Sequence, residues 1–88
     1  MATASQKFEN KKKEKFLKEL GSHIKSLRIK KGFSGAELGR RLDMERSHVS
    51  RLESGGTNPT AFLLFRLCSV LKISPKEFWD DFKKVPFE

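Results

Sequence analysis

The twenty residues from Ser34 to Glu53, SGAELGRRLDMERSHVSRLE, constrain this chain more than any other stretch. They accommodate two short helices and leave room between them only for a tight turn. Leu38 and Leu42 mark the inner face of the first helix, while Met44, Val49 and Leu52 mark the turn and the inner face of the second. The same spacing turns Arg46, Ser47, Ser50 and Arg51 outward. Ser34 is placed to cap the first helix, because its hydroxyl can accept a bond from the amide of Glu37, whose carboxylate can reach back to complete a capping box. One helix is therefore suited to bracing and the other to presenting a polar, cationic face. That is the arrangement of a helix-turn-helix, whose second helix reads the major groove.

Periodicity places three further helices around this pair. Helix 1 starts between Asn10 and Leu17, carries Phe16 or Leu17, Leu20, Ile24 and Leu27 on one face, and ends at Gly32 as a left-handed cap. Helix 3 runs from about Arg46 to Ser54 and stops at Gly55-Gly56. Helix 4 takes Asn58 as its cap and Pro59 in its first turn, with Leu64, Leu67, Cys68 and Leu71 turned inward. Helix 5 is capped by Ser74, begins at Pro75 and bears Phe78, Trp79 and Phe82. The expected architecture is all-α: five helices, with the helix-turn-helix at helices 2 and 3. Residues 1–10 lack sustained periodicity and read as a tail. The domain plan is a basic flexible N-terminal arm or helix extension over 1–15, the helical domain over 16–83 and a C-terminal tail over 84–88.

Length and charge narrow the function. Eighty-eight residues make one small domain with a thin core and no room for a buried substrate cleft, which argues against an enzyme. His23 and His48 lack ligand spacing, and no nucleophile grouping or phosphate-cradling glycine loop is present. No metal, cofactor or small-molecule ligand is expected. The net charge of +8 is uneven: residues 1–31 hold ten Lys/Arg against three Asp/Glu, and the rest is nearly balanced. Lys7, Lys11, Lys12, Lys13, Lys15 and Lys18 make a cationic arm that suits either a phosphate backbone or plain solvation. The lone Cys68 lies on an apolar stripe and reads as a core residue. No apolar run spans a bilayer and the N-terminus lacks the apolar stretch of a signal peptide, so a soluble cytoplasmic, nucleoid-associated protein is expected.

From Leu20 to Phe78 the chain resembles the lambda-repressor-like, Cro-type helix-turn-helix regulators (XRE family). The anchors are Leu27-Arg28 and Gly32, Ser34 with Glu37-Leu38, Val49-Ser50-Arg51-Leu52-Glu53, Asn58-Pro59, and Leu64, Leu67, Leu71 and Ile73-Ser74. The resemblance implies that Arg46, Ser47 and Arg51, at the first, second and sixth positions of the recognition helix, touch base edges, with Ser50 close enough to contribute. A guanidinium fork suits guanine O6 and N7, and a serine hydroxyl suits almost any base. It also implies that Arg28 pairs with Glu53 to orient helix 3, Glu37 being the alternative acid. Asp43 stands in the turn where the family usually has glycine, a position that commonly needs a positive φ. Gly35 stands where the family often has a phosphate-binding glutamine, so only its amide remains, and Arg40, Arg41 or the N-terminal lysines are expected to compensate.

Phosphate contacts are expected at helix N-termini, at Ser34 and Gly35 and at Asn58 and Thr60, with Ser54 and Gly55 between them and His48 facing either phosphate or solvent. Phe62, Phe65, Trp79 and Phe82, with Val85 and Phe87, exceed what one small core needs and form a candidate dimer face, Trp79 being the member best suited to the core. The reading is a bacterial or phage regulator of transcription: a homodimeric repressor or controller protein on double-stranded DNA. Two alternatives are an antitoxin and a protein-interaction module without DNA. A toxin or a polymerase is the candidate protein partner.

Overall fold

The computed structural model describes the backbone of residues 4–82 and side chains from Gln6 onward. These residues form α1 (Ala4–Lys30), α2 (Gly35–Arg41), α3 (Arg46–Ser54), α4 (Ala61–Leu71) and α5 (Pro75–Phe82), with no strand among them. The expected tail at 84–88, with Val85 and Phe87, lies outside the described residues.

α1 begins earlier than its apolar period indicates. Residues from Ala4 to Asn10 are helical and continue into the packed part, where the sequence reads as a tail. The cause is propensity rather than burial: Gln, Lys and Glu are good helix formers, and no glycine or proline interrupts the run before Gly21.

The core gathers Leu20, Ile24 and Leu27 from α1, Leu38 from α2, Val49 and Leu52 from α3, Leu67, Cys68 and Leu71 from α4, and Phe78 and Phe82 from α5. Leu42 and Ile73 complete it from the connections. Leu17 is buried, and Phe16 packs edge-on against Phe82 at 5.8 Å. Cys68 is buried among these groups, and loss of hydration pushes its thiol up from the ordinary cysteine range, so it stays protonated at neutral pH. His23 joins α1 to α5. Its Nε2 lies 2.8 Å from the Phe78 carbonyl oxygen and donates to it, and its ring packs on Phe78 at 4.7 Å and Phe82 at 5.3 Å.

Phe82 is therefore part of the monomer's core and leaves the proposed dimer face, where the sequence reading placed it. Trp79 is the one left outside, 40% exposed beside Phe78 and Phe82. Phe78 and Phe82 are one helical turn apart and share the inward line, which turns Trp79 to the flank.

Capping follows the expected chemistry with two departures, the first being that the Glu37 carboxylate turns to Arg41 at 3.5 Å and does not complete a capping box on Ser34. Ser34 accepts from the Glu37 amide at 3.0 Å, Ser74 from the Glu77 amide at 3.0 Å, and Gly32 closes α1 at φ 82°. α4 is capped by Thr60, whose hydroxyl accepts from the Leu63 amide at 3.0 Å, instead of by Asn58. Pro59 does not force this, since Ser74 caps α5 directly ahead of Pro75; it is the Thr60 hydroxyl that satisfies the Leu63 amide.

Among the described residues, two other than glycine adopt left-handed backbone: Asp43 (φ 55°), in the expected turn, and Lys72 (φ 56°), which caps α4. A β-carbon there is strained by about 1–2 kcal/mol, partly offset by the greater freedom glycine has when unfolded. Lys72→Gly is accordingly expected to stabilise the protein by about 0.5–1 kcal/mol, read as a rise of a few degrees in the thermal midpoint. A fall in the midpoint would show that the lysine side chain contributes more than its backbone costs.

Candidate nucleic-acid interface

α3 is nine residues long, with Val49 and Leu52 buried beneath it and Arg46, Ser47, His48, Ser50 and Arg51 all exposed. Its orientation is set from α1 at three successive places. Lys18 passes its backbone over Gly55, where an added β-carbon would come within 2.9 Å of the Lys18 Cα. One turn further on, a β-carbon at Gly21 would lie 2.5 Å from the Glu53 carbonyl oxygen and 2.6 Å from that of Leu52. Two turns beyond that, Arg28 grips Glu53 through two hydrogen bonds, Nε to Oε2 at 2.6 Å and Nη2 to Oε1 at 3.1 Å. Its Nη1 donates to the Phe33 carbonyl at 2.8 Å, so one guanidinium ties α1 to both α3 and the segment leading into α2.

The Arg28–Glu53 pair is the one the resemblance implies. Glu37, the alternative acid, lies 3.5 Å from Arg41 instead. The side chains of the pair are only 12% and 9% exposed. The hydrogen bond to Glu53 raises the Arg28 pKa, and partial burial only moderates that effect, so the guanidinium stays charged at any usable pH. A fork-to-fork pair this sheltered exceeds the ~0–1 kcal/mol of a solvated one.

α2 and α3 are fitted through Gly39, whose added β-carbon would stand 2.6 Å from the Met44 carbonyl oxygen. At the start of α2, Gly35 leaves space into which Arg46 extends; its Nε would lie 3.9 Å from a β-carbon there. A polar groove of about 410 Å³ opens between the end of α1 and the starts of α2 and α3, bordered by Lys25, Arg28, Ser34, Gly35, Arg46 and Ser50. It unites two expected base-reading residues with two expected phosphate contacts. Lys25 belongs to it and was missed by sequence reasoning.

Other expected contacts divide. Ser34 and Thr60 spend their oxygen lone pairs on amides and keep their O–H groups to donate. Ser54 is exposed and its hydroxyl is 3.1 Å from the Arg51 carbonyl oxygen, to which it donates. Asn58, Arg40 and His48 are exposed. The amides of Gly55 and Gly56 are not available to phosphate, because they close the end of α3 on Leu52 and Arg51 carbonyls at 3.3 and 2.8 Å. Gly55, at φ 85° against Lys18, is a helix stop and corrects the expectation of a phosphate contact there. Arg41 also departs: its guanidinium lies over the Phe33 ring at 5.3 Å, beside the end of α4, outside the groove that holds Arg46. Phe62 and Phe65 stand 68% and 58% exposed on α4.

Among the described residues no group of His, Cys, Asp and Glu has metal-ligand geometry, and no helix is long and apolar enough to cross a membrane. A short cationic helix held outward on a buried brace, with capped helix starts beside it, defines a helix-turn-helix DNA-binding domain. The chain belongs to the helix-turn-helix family (XRE type), which it matches over residues 24–78, and is a DNA-binding transcriptional regulator. It is similar to the uncharacterised HTH-type transcriptional regulator y4dJ of Sinorhizobium fredii, with 33% identity over 70 residues, 80% of this chain and 91% of y4dJ. Among solved structures it resembles the restriction-modification controller protein C.AhdI of Aeromonas hydrophila, at 31% identity and TM-score 0.66, over 70% of this chain and 94% of that one. It also resembles the controller protein C.Esp1396I, solved as a tetramer with its natural 35 base-pair operator, at 25% identity and TM-score 0.70, over 77% of this chain and 90% of that one.

Proposed function

We propose that the chain is a homodimeric repressor or controller that recognises a roughly palindromic operator, acting by binding and not by catalysis. The observation that carries this reading is the outer face of α3: Arg46, Ser47, Ser50 and Arg51 are exposed together on a helix that Arg28 and Glu53 hold in place. Arg46 and Arg51 are assigned to guanine edges, and Ser47 and Ser50 to neighbouring bases. Ser34, Gly35, Asn58 and Thr60, with Arg40, His48 and Lys25, are assigned to phosphates that fix the register, whereas Ser54 has given its O–H to the Arg51 carbonyl. Phe62, Phe65 and Trp79 form the face through which two copies pair. Such a dimer would set two recognition helices about one DNA turn, or ~34 Å, apart. Control of transcription places the protein with the DNA in the cytoplasm.

The test is selection of bound sequences from a random duplex library at near-physiological salt. Two inverted half-sites about one turn apart are expected, and recovery of no motif would sink the sequence-specific reading. On the selected site, Arg51→Ala is expected to weaken binding by about 1–3 kcal/mol and to relax the preference at one base pair. An equal loss on every sequence would reassign Arg51 to phosphate.

A further inference from the structure

We propose that α1 carries a second DNA contact, a line of lysines that follows the phosphate backbone beyond the groove read by α3; this rests on the DNA-binding reading above. Every described residue from Gln6 to Lys15 is exposed, so this part of α1 buries no face, and charge is what it presents. Lys7 and Lys25 are eighteen residues apart, about five full turns at ~3.6 residues per turn, and so lie on one line of the helix. Lys11 and Lys18, spaced from them by fours and sevens, fall on the same side, and Lys15 flanks them. All five are exposed, and none has an ion-pair partner among the described residues.

The line is in register with the interface. Lys25 borders the groove that contains Ser34, Gly35, Arg46, Ser50 and Glu53, while Lys18 lies against Gly55 just past the end of α3. The two lysines thus bracket the stretch of α1 that packs on the last turn of α3, where Gly21 faces Leu52 and Glu53. Lys11 and Lys7 continue beyond it, for a total length of about 27 Å at ~1.5 Å per residue. Lys11, Lys15 and Lys18 share a shallow depression with Glu14 and Glu19, whose two charges dilute the three without cancelling them. Compact, hydrated ammonium groups in a row carry charge without a rigid fork to read a base edge, which suits a linear polyanion and no particular sequence.

The test compares two triple variants that each lose three charges at exposed positions. Lys7→Gln with Lys11→Gln and Lys18→Gln removes the line. Lys12→Gln with Lys30→Gln and Lys76→Gln removes the same charge elsewhere: Lys12 and Lys30 share a different line of α1, and Lys76 is on α5. Binding is measured against salt on the selected operator and on a mixed-sequence duplex, after thermal melts confirm equal folding. The first variant is expected to bind both duplexes about tenfold or more weakly, with the salt slope reduced by about 0.9 per lysine, roughly 2.7 in all. The control is expected to retain most of the slope. Equal effects of the two variants would overturn the line in favour of net charge, and an unchanged slope in the first variant would remove it outright. Loss of slope in the first variant alone, in a chain that selects no motif, would keep the line and sink the sequence-specific reading.

Discussion

Gly21→Ala is expected to destabilise the protein by about 3 kcal/mol or more, which for a domain of this size lowers the thermal midpoint by on the order of 10–20 °C. On helix propensity alone the change should help, since alanine is favoured over glycine inside a helix by about 1 kcal/mol. The added methyl, however, would stand 2.5 and 2.6 Å from the carbonyl oxygens of Glu53 and Leu52. Both obstacles are backbone, so no side chain can rotate away, and α1 must separate from the last turn of α3. That movement would loosen Lys18 from Gly55 and stretch the Arg28–Glu53 pair. DNA affinity is therefore expected to fall even in the fraction that stays folded. Gly35→Ala is the matched control: its β-carbon would meet nothing closer than Arg46 Nε at 3.9 Å, so it should be neutral or slightly stabilising. Equal melting of the two variants would mean that α1 and α3 do not approach as closely as described.

The same position shows what the sequence can and cannot reveal. An isolated glycine inside an otherwise helical pattern signals close packing, and Gly21 and Gly39 both carry that signal. Nothing local says which element approaches, because Gly21 faces α3 thirty residues away and Gly39 faces the turn that follows it. The helix-turn-helix pair was legible because its turn is short, its caps are local and its apolar positions alternate with polar ones at helical spacing. The pairing of Arg28 with Glu53 was legible through family resemblance, but its magnitude was not, since shelter from solvent is a tertiary property. The aromatic end was misread for a related reason. Helical spacing groups Phe78 with Phe82 and sets Trp79 aside, but without His23 and Phe16 on the opposing helix nothing says which group faces in. The helical start of α1 was missed because periodicity detects burial, and this segment is helical without being buried.

Glu53→Ala is expected to cost about 2–4 kcal/mol of stability and to weaken specific DNA binding, although Glu53 is assigned no contact with DNA. The stability loss comes from the partner. Arg28 remains charged and largely sheltered, loses both hydrogen bonds to carboxylate oxygens, and keeps only its bond to the Phe33 carbonyl. Breaking one side of a sheltered pair is more damaging than replacing both with apolar groups of similar size. The double substitution Arg28→Met with Glu53→Leu is therefore expected to recover most of the lost stability. Recovery of DNA binding should lag behind, because thioether and isobutyl groups can fill the space without fixing the rotation of α3 or holding the Phe33 carbonyl at the entry to α2. Thermal melts paired with titrations on the selected operator and on mixed-sequence DNA separate the two effects. A double variant that regains stability and full sequence preference would show that packing alone orients α3. One that regains stability while its affinity falls toward the mixed-sequence level would assign the pair the task of aiming Arg46 and Arg51 at their bases.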